Sequence, residues 1–464
     1  MTDKRSAPDR PEYQSRAELR HTQTLPAFKT VGEPPKGGAE KLLSFFADVR
    51  AGEGWSALLL LVNVFLLLFA YYLLKTVREA LILTEGGAYV KAYSSAGQAA
   101  LLMVLVPLYG FVGAKVVRIR LIVGLMLFFV TNLVVFYSFG VSGAKEGVVF
   151  YIWVGIFNVL APSQVWAFAN DIYTEGQGKR LFPMIGVGSS LGALFGAQSA
   201  ERLIKVFDAT PYQLQLLAAG ILLICCGLLV AVNRVATANS IPEMARHADE
   251  KLSTEDGFAL IFRSRYLTWI AVMMVVLNLV NSIGEFALGD LVVNQAHALH
   301  PDNAAAQKQF IGGFYGSFFA TVNLLGFLLQ TFVVSRLFPL IGVRGAMFIM
   351  PTISLMSYSL LGLVPILGIV RWAKTFENAT DYSIQNTVRQ TLFLPTSREA
   401  KYKAKATIDT FFMRSGDVLS AGVVKLGSQL NLALTGFAWV NVGLVLIWLY
   451  AVTRLSREHR RMGF

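Results

Sequence analysis

WSALLLLVNVFLLLFAYYLL (Trp55–Leu74) holds no charged residue. About 20 such residues are what a helix needs to cross the hydrocarbon core of a bilayer. The stretch continues as KTVREALIL (Lys75–Leu83), which places Lys75, Arg78 and Glu79 on one turn before the chain becomes apolar again. A charge at that depth costs several kcal/mol unless it is paired or hydrated, so these side chains must face the protein interior. Lys75 and Glu79 stand at i,i+4 and are expected to pair. Arg78 is then left without a dedicated partner and free to meet a ligand.

The same pattern recurs along all 464 residues, of which 55% are hydrophobic and only 15% charged. Soluble domains carry about 25% charged residues. The fold class is therefore an all-α polytopic membrane protein, with twelve transmembrane helices predicted between 55–82 and 432–453. Residues 1–54 are polar and Pro-bearing and read as a disordered tail, ending in an interfacial helix at Glu40–Glu53 with an apolar face and charged flanks. The net charge of +12 fits a basic cytoplasmic face better than a nucleic-acid surface, and no nucleic-acid partner is expected.

Arginines and lysines concentrate in alternate loops: Lys115, Arg118 and Arg120; Lys179 and Arg180; Arg234 to Arg265; Arg336 and Arg344; Arg389 to Lys405. The opposite loops offer only Lys91, Lys145, Arg202, Lys205 and Lys308. By the positive-inside rule both termini lie in the cytoplasm. The long inner loop 234–263 separates six-helix halves at 55–233 and 264–453, and 454–464 is a basic tail. Loops YGFVGAKVVRIR (Tyr109–Arg120) and SRLFPLIGVRG (Ser335–Gly345) echo each other about 224 positions apart, as do EGQGKR (Glu175–Arg180) and SREAKYKAK (Ser397–Lys405). Two parallel six-helix repeats describe a major facilitator-like architecture.

Charges inside the spans gather in four helices. Beside Lys75, Arg78 and Glu79 stand Glu285 and Asp290 in the seventh span. The tenth carries Arg371, Lys374, Glu377 and Asp381; the eleventh carries Asp409, Arg414, Asp417 and Lys425. Arg414 and Asp417 are i,i+3 neighbours. A cluster of Lys75, Arg78, Arg371, Lys374, Arg414 and Lys425 suits a multiply charged anion, because guanidinium and ammonium groups are the usual partners of phosphate and carboxylate. The candidate substrate-binding set is Lys75, Arg78, Glu79, Glu285, Arg371, Lys374, Arg414 and Asp417.

Other features have plainer readings. Gly188, Gly192 and Gly196 form a small-residue ladder for close helix packing, as do Gly312 and Gly316. Trp166 and Phe168 read as a packed helix face. All five histidines are placed in tails or loops, Cys225 and Cys226 are adjacent packing residues, and no metal or cofactor site is expected. GxxxxGK[ST] is absent, and no nucleophile–base pair is visible, so an enzyme is not expected.

In order and spacing, several blocks resemble the nucleotide (ATP/ADP) translocases of intracellular bacteria and plastids, most closely the free-living bacterial branch. They are LLKTVREALILT (Leu73–Thr84), WAFAND (Trp166–Asp171), GKRLFPMIGVGSSLG (Gly178–Gly192), NSIGEFALGD (Asn281–Asp290), QFIGGFYGSF (Gln309–Phe318), GAMFIMPT (Gly345–Thr352) and KAKATIDTFFMRSGD (Lys403–Asp417). The resemblance implies a major facilitator fold. It also implies that Arg78 takes the place of a functional lysine on helix one, Glu285 that of the helix-seven glutamate and Arg414 that of a helix-eleven lysine. The chain departs from the family at YIWVGIF (Tyr151–Phe157), which lacks an acid, and at Gly313 and Gly289, where an aspartate and a lysine are usual.

The expectation is a transporter in the bacterial inner membrane. It moves an anionic, nucleotide-like solute by alternating access, as an exchanger or coupled to a proton, and acts as a monomer in the lipid bilayer. The alternatives are a transporter of the same fold for a siderophore, peptide or drug, and a non-transporting receptor or assembly partner.

Overall fold

The computed structural model describes residues 38, 49–50, 52–113, 118–239, 257–397 and 400–462. The expected tail and most of the interfacial helix, with the centre of the linker at 240–256, lie outside the described residues. Among the described residues the elements are helical, with no strand.

The opening stretch forms α1 (Gly54–Gly113), broken once at Gly87, whose φ of 71° and ψ of −175° lie outside the helical region. Glycine reaches that conformation without a Cβ penalty, so 54–86 and 88–113 run as an antiparallel pair. Then follow α2 (Arg118–Val141), α3 (Gly147–Ile172), α4 (Glu175–Val206) and α5 (Pro211–Asn239). The second half begins with the short α6 (Gly257–Arg263) and continues with α7 (Arg265–Leu299), α8 (Ala304–Leu328), α9 (Ser335–Ala346) and α10 (Ile349–Leu363). It closes with α11 (Leu367–Thr380), α12 (Asn386–Leu392), α13 (Lys405–Thr407), α14 (Met413–Gln429) and α15 (Leu434–Arg461).

Among the described residues, eight helices are long and apolar enough to cross a membrane, or nine if the bent pair α9–α10 counts as one span. The predicted tenth and eleventh spans are absent from that set for a physical reason. Both carry the charges noted above, and π-helical turns at Asp381–Gln385 and Ile408–Phe412 interrupt them, with another at Ala400–Ala404 just before the eleventh. Short π segments often sit at functional positions.

Two devices fix α1. At its start, Glu53 takes both terminal nitrogens of Arg180 at 3.1 and 2.8 Å and the Gln177 amide at 3.1 Å. Burial pushes the Glu53 carboxyl up, but the Arg180 hydrogen bonds, the Arg50 amide and Gln177 outweigh it and hold it below its ordinary range. Along its length, the glycine ladder of α4 lies on its backbone. A Cβ at Gly188, Gly192 or Gly196 would stand 2.8, 2.2 or 2.5 Å from the carbonyl oxygens of Leu61, Phe65 and Phe69. Gly316 of α8 meets the Glu201 amide of α4 in the same way, at 2.9 Å. That contact brings the two halves together, with α14 against α1 as the second seam. Trp166 packs edge-on against Phe182 at 5.6 Å, and Phe168 is buried. His459, expected in a tail, is buried within α15.

Candidate functional site

A cavity of about 240 Å³ lies between the halves, lined from α1, α3, α7, α8, α14 and the π turn after α11. Its wall carries four cations, Lys75, Arg78, Lys91 and Arg414, and four acids, Glu79, Glu285, Asp381 and Asp417. The fixed charge of the lining therefore sums to zero.

The pairing differs from the expected one. Glu79 does not take Lys75. It accepts from Arg78 at 2.5 Å and forms an ion pair with Lys91 at 2.7 Å. Arg78 is thus committed, with its guanidinium 4.5 Å from the centre of the Tyr151 ring. Lys75 sits instead in an aromatic box, 4.1 Å from the Phe319 ring centre and 5.1 Å from that of Tyr72, and donates to the Tyr382 hydroxyl at 3.2 Å. Among the described residues, no carboxylate stands within ion-pair distance of Lys75. The i,i+4 rule failed because it scores only the residue's own helix, and the π turn after α11 and helix α8 offered Lys75 a better pocket.

By its place in the sequence Lys91 reads as a loop residue. It is buried on the far arm of α1 because the Gly87 turn folds 88–113 back beside Glu79. It is also 3.8 Å from Glu285, whose other oxygen lies 3.7 Å from Lys374. Lys374 pairs with Glu377 at 2.8 Å, and Glu377 accepts from the hydroxyls of Ser354 and Tyr358 at 2.8 and 3.0 Å. Arg78, Glu79, Lys91, Glu285, Lys374 and Glu377 thus form a chain of alternating sign that crosses from one half to the other. Glu285 is its loosest member, with both cations beyond hydrogen-bond distance and the Asn378 amide at 3.2 Å.

Arg414 and Asp417, i,i+3 neighbours, pair at 3.5 Å, and Asp417 also accepts from Ser282 at 2.7 Å. Arg371 is not in this cavity: it donates to Ser317 at 3.0 Å in a separate one. Lys425 is exposed and belongs to neither. Lys91 and Tyr382 are the members that the sequence did not mark. A lysine four positions after a glycine turn and a tyrosine between charged helix residues were the only traces.

At the end of the bundle that carries Gly87, more polar bonds join the halves. Gln309 donates to Asp208 at 2.6 Å and Lys308 to the Tyr212 hydroxyl at 3.1 Å. Nearby, Glu146 accepts from Gln215 at 2.7 Å, and Glu85 takes the Gly147 amide at 2.7 Å. Burial pushes the Glu146 carboxyl up to about 7, Glu85 adds to the rise, and Gln215 and Lys308 oppose it.

Solved transporters share the fold. The nucleoside transporter NupG superposes with a TM-score of 0.63 at 14% identity, covering 86% of this chain and 98% of that one. A bacterial homologue of the iron transporter ferroportin, in its inward-facing state, gives 0.60 at 14% identity over 86% and 98%. In sequence, ADP,ATP carrier protein 5 of Rickettsia bellii is 24% identical over 359 residues, 67% of this chain and 69% of that protein. ADP,ATP carrier protein 1 of Chlamydia trachomatis is 21% identical over 350 residues, 67% of this chain and 64% of that protein. Residues 146–459 match the family described as TLC ATP/ADP transporter. With more than half its length matched, this chain belongs to the TLC ATP/ADP transporter family.

Proposed function

We propose that the protein exchanges nucleotides of the ATP/ADP type across the bacterial inner membrane by alternating access, with both termini in the cytoplasm. The observation that supports this most is the charge-balanced cavity, in which an ion-pair chain links the halves and Lys75 alone has no acid. A polyphosphate entering here finds Lys75 with no carboxylate to displace, among the described residues. It can then replace Glu285, the loosest carboxylate, on Lys91 and Lys374, as a phosphate tail with several acceptor oxygens is suited to do.

This arrangement favours exchange over one-way flow. With no substrate, the carboxylates hold the cations and tie the halves together. With substrate, phosphate takes the cations and the inter-half pairs are released. Reorientation is then fast only when loaded, because a ligand shifts a conformational equilibrium by its differential affinity for the two states. The cavity of 240 Å³ is smaller than the ~300–1,000 Å³ of common ligand pockets, which fits a site contracted on its own ion pairs.

The test is uptake of labelled ATP into proteoliposomes. Preloading with ADP should speed uptake at least about tenfold over empty vesicles, a difference of about 1.4 kcal/mol in barrier. Equal uptake into loaded and empty vesicles would overturn exchange, and no uptake of any nucleotide would overturn the substrate class.

A further inference from the structure

The geometry points to a second anion site, in the Arg371 cavity, that receives the phosphate tail of the substrate before it reaches Lys374. This rests on the nucleotide reading above. The cavity measures about 630 Å³ and lies at the Gly87 end between α4, α7, α8 and the start of α11. Its lining includes Lys205, His300, Gln309 and Arg371 and, among the described residues, no aspartate or glutamate. The central cavity balances its charges; this one does not.

Arg371 is the group best placed to hold an anion. Its guanidinium is set by Ser317 at 3.0 Å and lies 5.4 Å from the Phe314 ring centre. Among the described residues, no carboxylate is within ion-pair distance of it. A guanidinium fixed on one edge by a hydroxyl and on one face by a ring keeps its remaining donors free for two phosphate oxygens. Lys205 faces the same space from the other half. It is held by Glu201 at 2.8 Å but half exposed, and so supplies a screened charge. Low-dielectric walls with one sign of charge concentrate the field on what enters.

Position makes it a stage on a route. Arg371 and Lys374 are three residues apart on α11, about 4.5 Å along the axis at 1.5 Å per residue. Lys374 is the cation already beside Glu285. An anion leaving Arg371 therefore meets the ion-pair chain one turn deeper. Gln309, which bonds to Asp208 and to the Ile204 carbonyl across the halves, sits on the lining, so the site changes shape when the halves part. A lipid headgroup phosphate carries the same chemistry, and the experiment separates the two sources.

Pyrophosphate is the probe, titrated calorimetrically into the full-length protein in zwitterionic nanodiscs. The wild type should bind two equivalents and Arg371→Gln one, whether or not transport is seen. One equivalent in both proteins, or two in both, overturns the site. If anionic lipid in the nanodisc removes the second equivalent, the cavity is a headgroup pocket and the nucleotide assignment fails. In vesicles of defined orientation, Arg371→Gln should also raise the KM for nucleotide at the Gly87 face about tenfold, the loss of one charge-assisted contact, with the KM at the opposite face at its wild-type value. A rise on both faces alike would place Arg371 in the central site instead. A wild type that transports no nucleotide yet binds two pyrophosphates would defeat the exchange reading and leave the second site standing.

Discussion

Replacing Glu79 by glutamine keeps the shape of the side chain and removes its charge. Two cations depend on that carboxylate, Arg78 at 2.5 Å and Lys91 at 2.7 Å, and all three are largely buried. Breaking a buried pair by removing one partner costs about 3–5 kcal/mol, because the remaining charge is left in a medium that cannot solvate it. Lys91 retains Glu285 at 3.8 Å, which offsets part of this, so the lower end of the range applies. The measurement is thermal unfolding of the purified protein in nanodiscs. Glu79→Gln should unfold several degrees below the wild type. Saturating ADP should restore more stability to it than to the wild type, because phosphate then supplies the missing anion; at 100 times Kd a ligand adds about 2.7 kcal/mol. Glu79→Gln/Lys91→Met should be more stable than the sum of the two single changes by about 0.5–3 kcal/mol, the range for residues in one network. Strict additivity in the double variant, with an unshifted Glu79→Gln, would refute the ion-pair chain.

Lys75→Met keeps the packing of the aromatic box and removes its charge. Since hydrogen bonds to charged groups are worth about 1.5–3 kcal/mol, the KM for ATP exchange should rise ten- to a hundredfold while the unfolding temperature holds; an unchanged KM would remove Lys75 from the site. Gly192→Ala forces a methyl against the Phe65 carbonyl oxygen, where the three nearest atoms are all backbone, and should cost about 1–3 kcal/mol in a melting experiment. Gly220→Ala meets open space and should melt no lower than the wild type. For Glu146, the folded carboxyl at about 7 lies above its ordinary 4.5, so the folded protein keeps a proton the unfolded chain has released. The stability it brings is complete below pH 4.5 and is lost as pH climbs to about 7. Glu146→Gln should flatten the fall of unfolding temperature over that window, and an identical slope in both proteins would refute it.

The apolar runs, the glycine ladder and the Arg414–Asp417 pair were legible because each depends on one helix period or one helix face. Gly188, Gly192 and Gly196 name their role by spacing, although not that α1 would be the partner. What failed was the assignment of partners. Helix spacing offers Glu79 only Lys75 and Arg78, whereas in the folded chain its cations are Arg78 and Lys91. Lys91 looked like a loop residue because the Gly87 turn carries no hydrophobic signal of its own. Arg371 and Lys374 are three residues apart on one helix, yet Arg371 lines the second cavity while Lys374 is buried against Glu377 and Asn281. A sequence with no partner helix in view cannot show that division. The polar helices after Leu367 do not read as apolar spans for the same reason that they matter: their charges lower the hydropathy.

A central cavity whose fixed charges cancel carries no charge of its own across the membrane when the halves rock. The electrical work of each turnover then belongs to the cargo. Trading a nucleoside triphosphate for a diphosphate displaces about one net charge, which the membrane potential weights by about 2.3 kcal/mol per 100 mV. On the proposed exchange, the direction of net transport is then set by the voltage and by the nucleotide ratio on the two sides, and the cavity wall is an electrically silent frame.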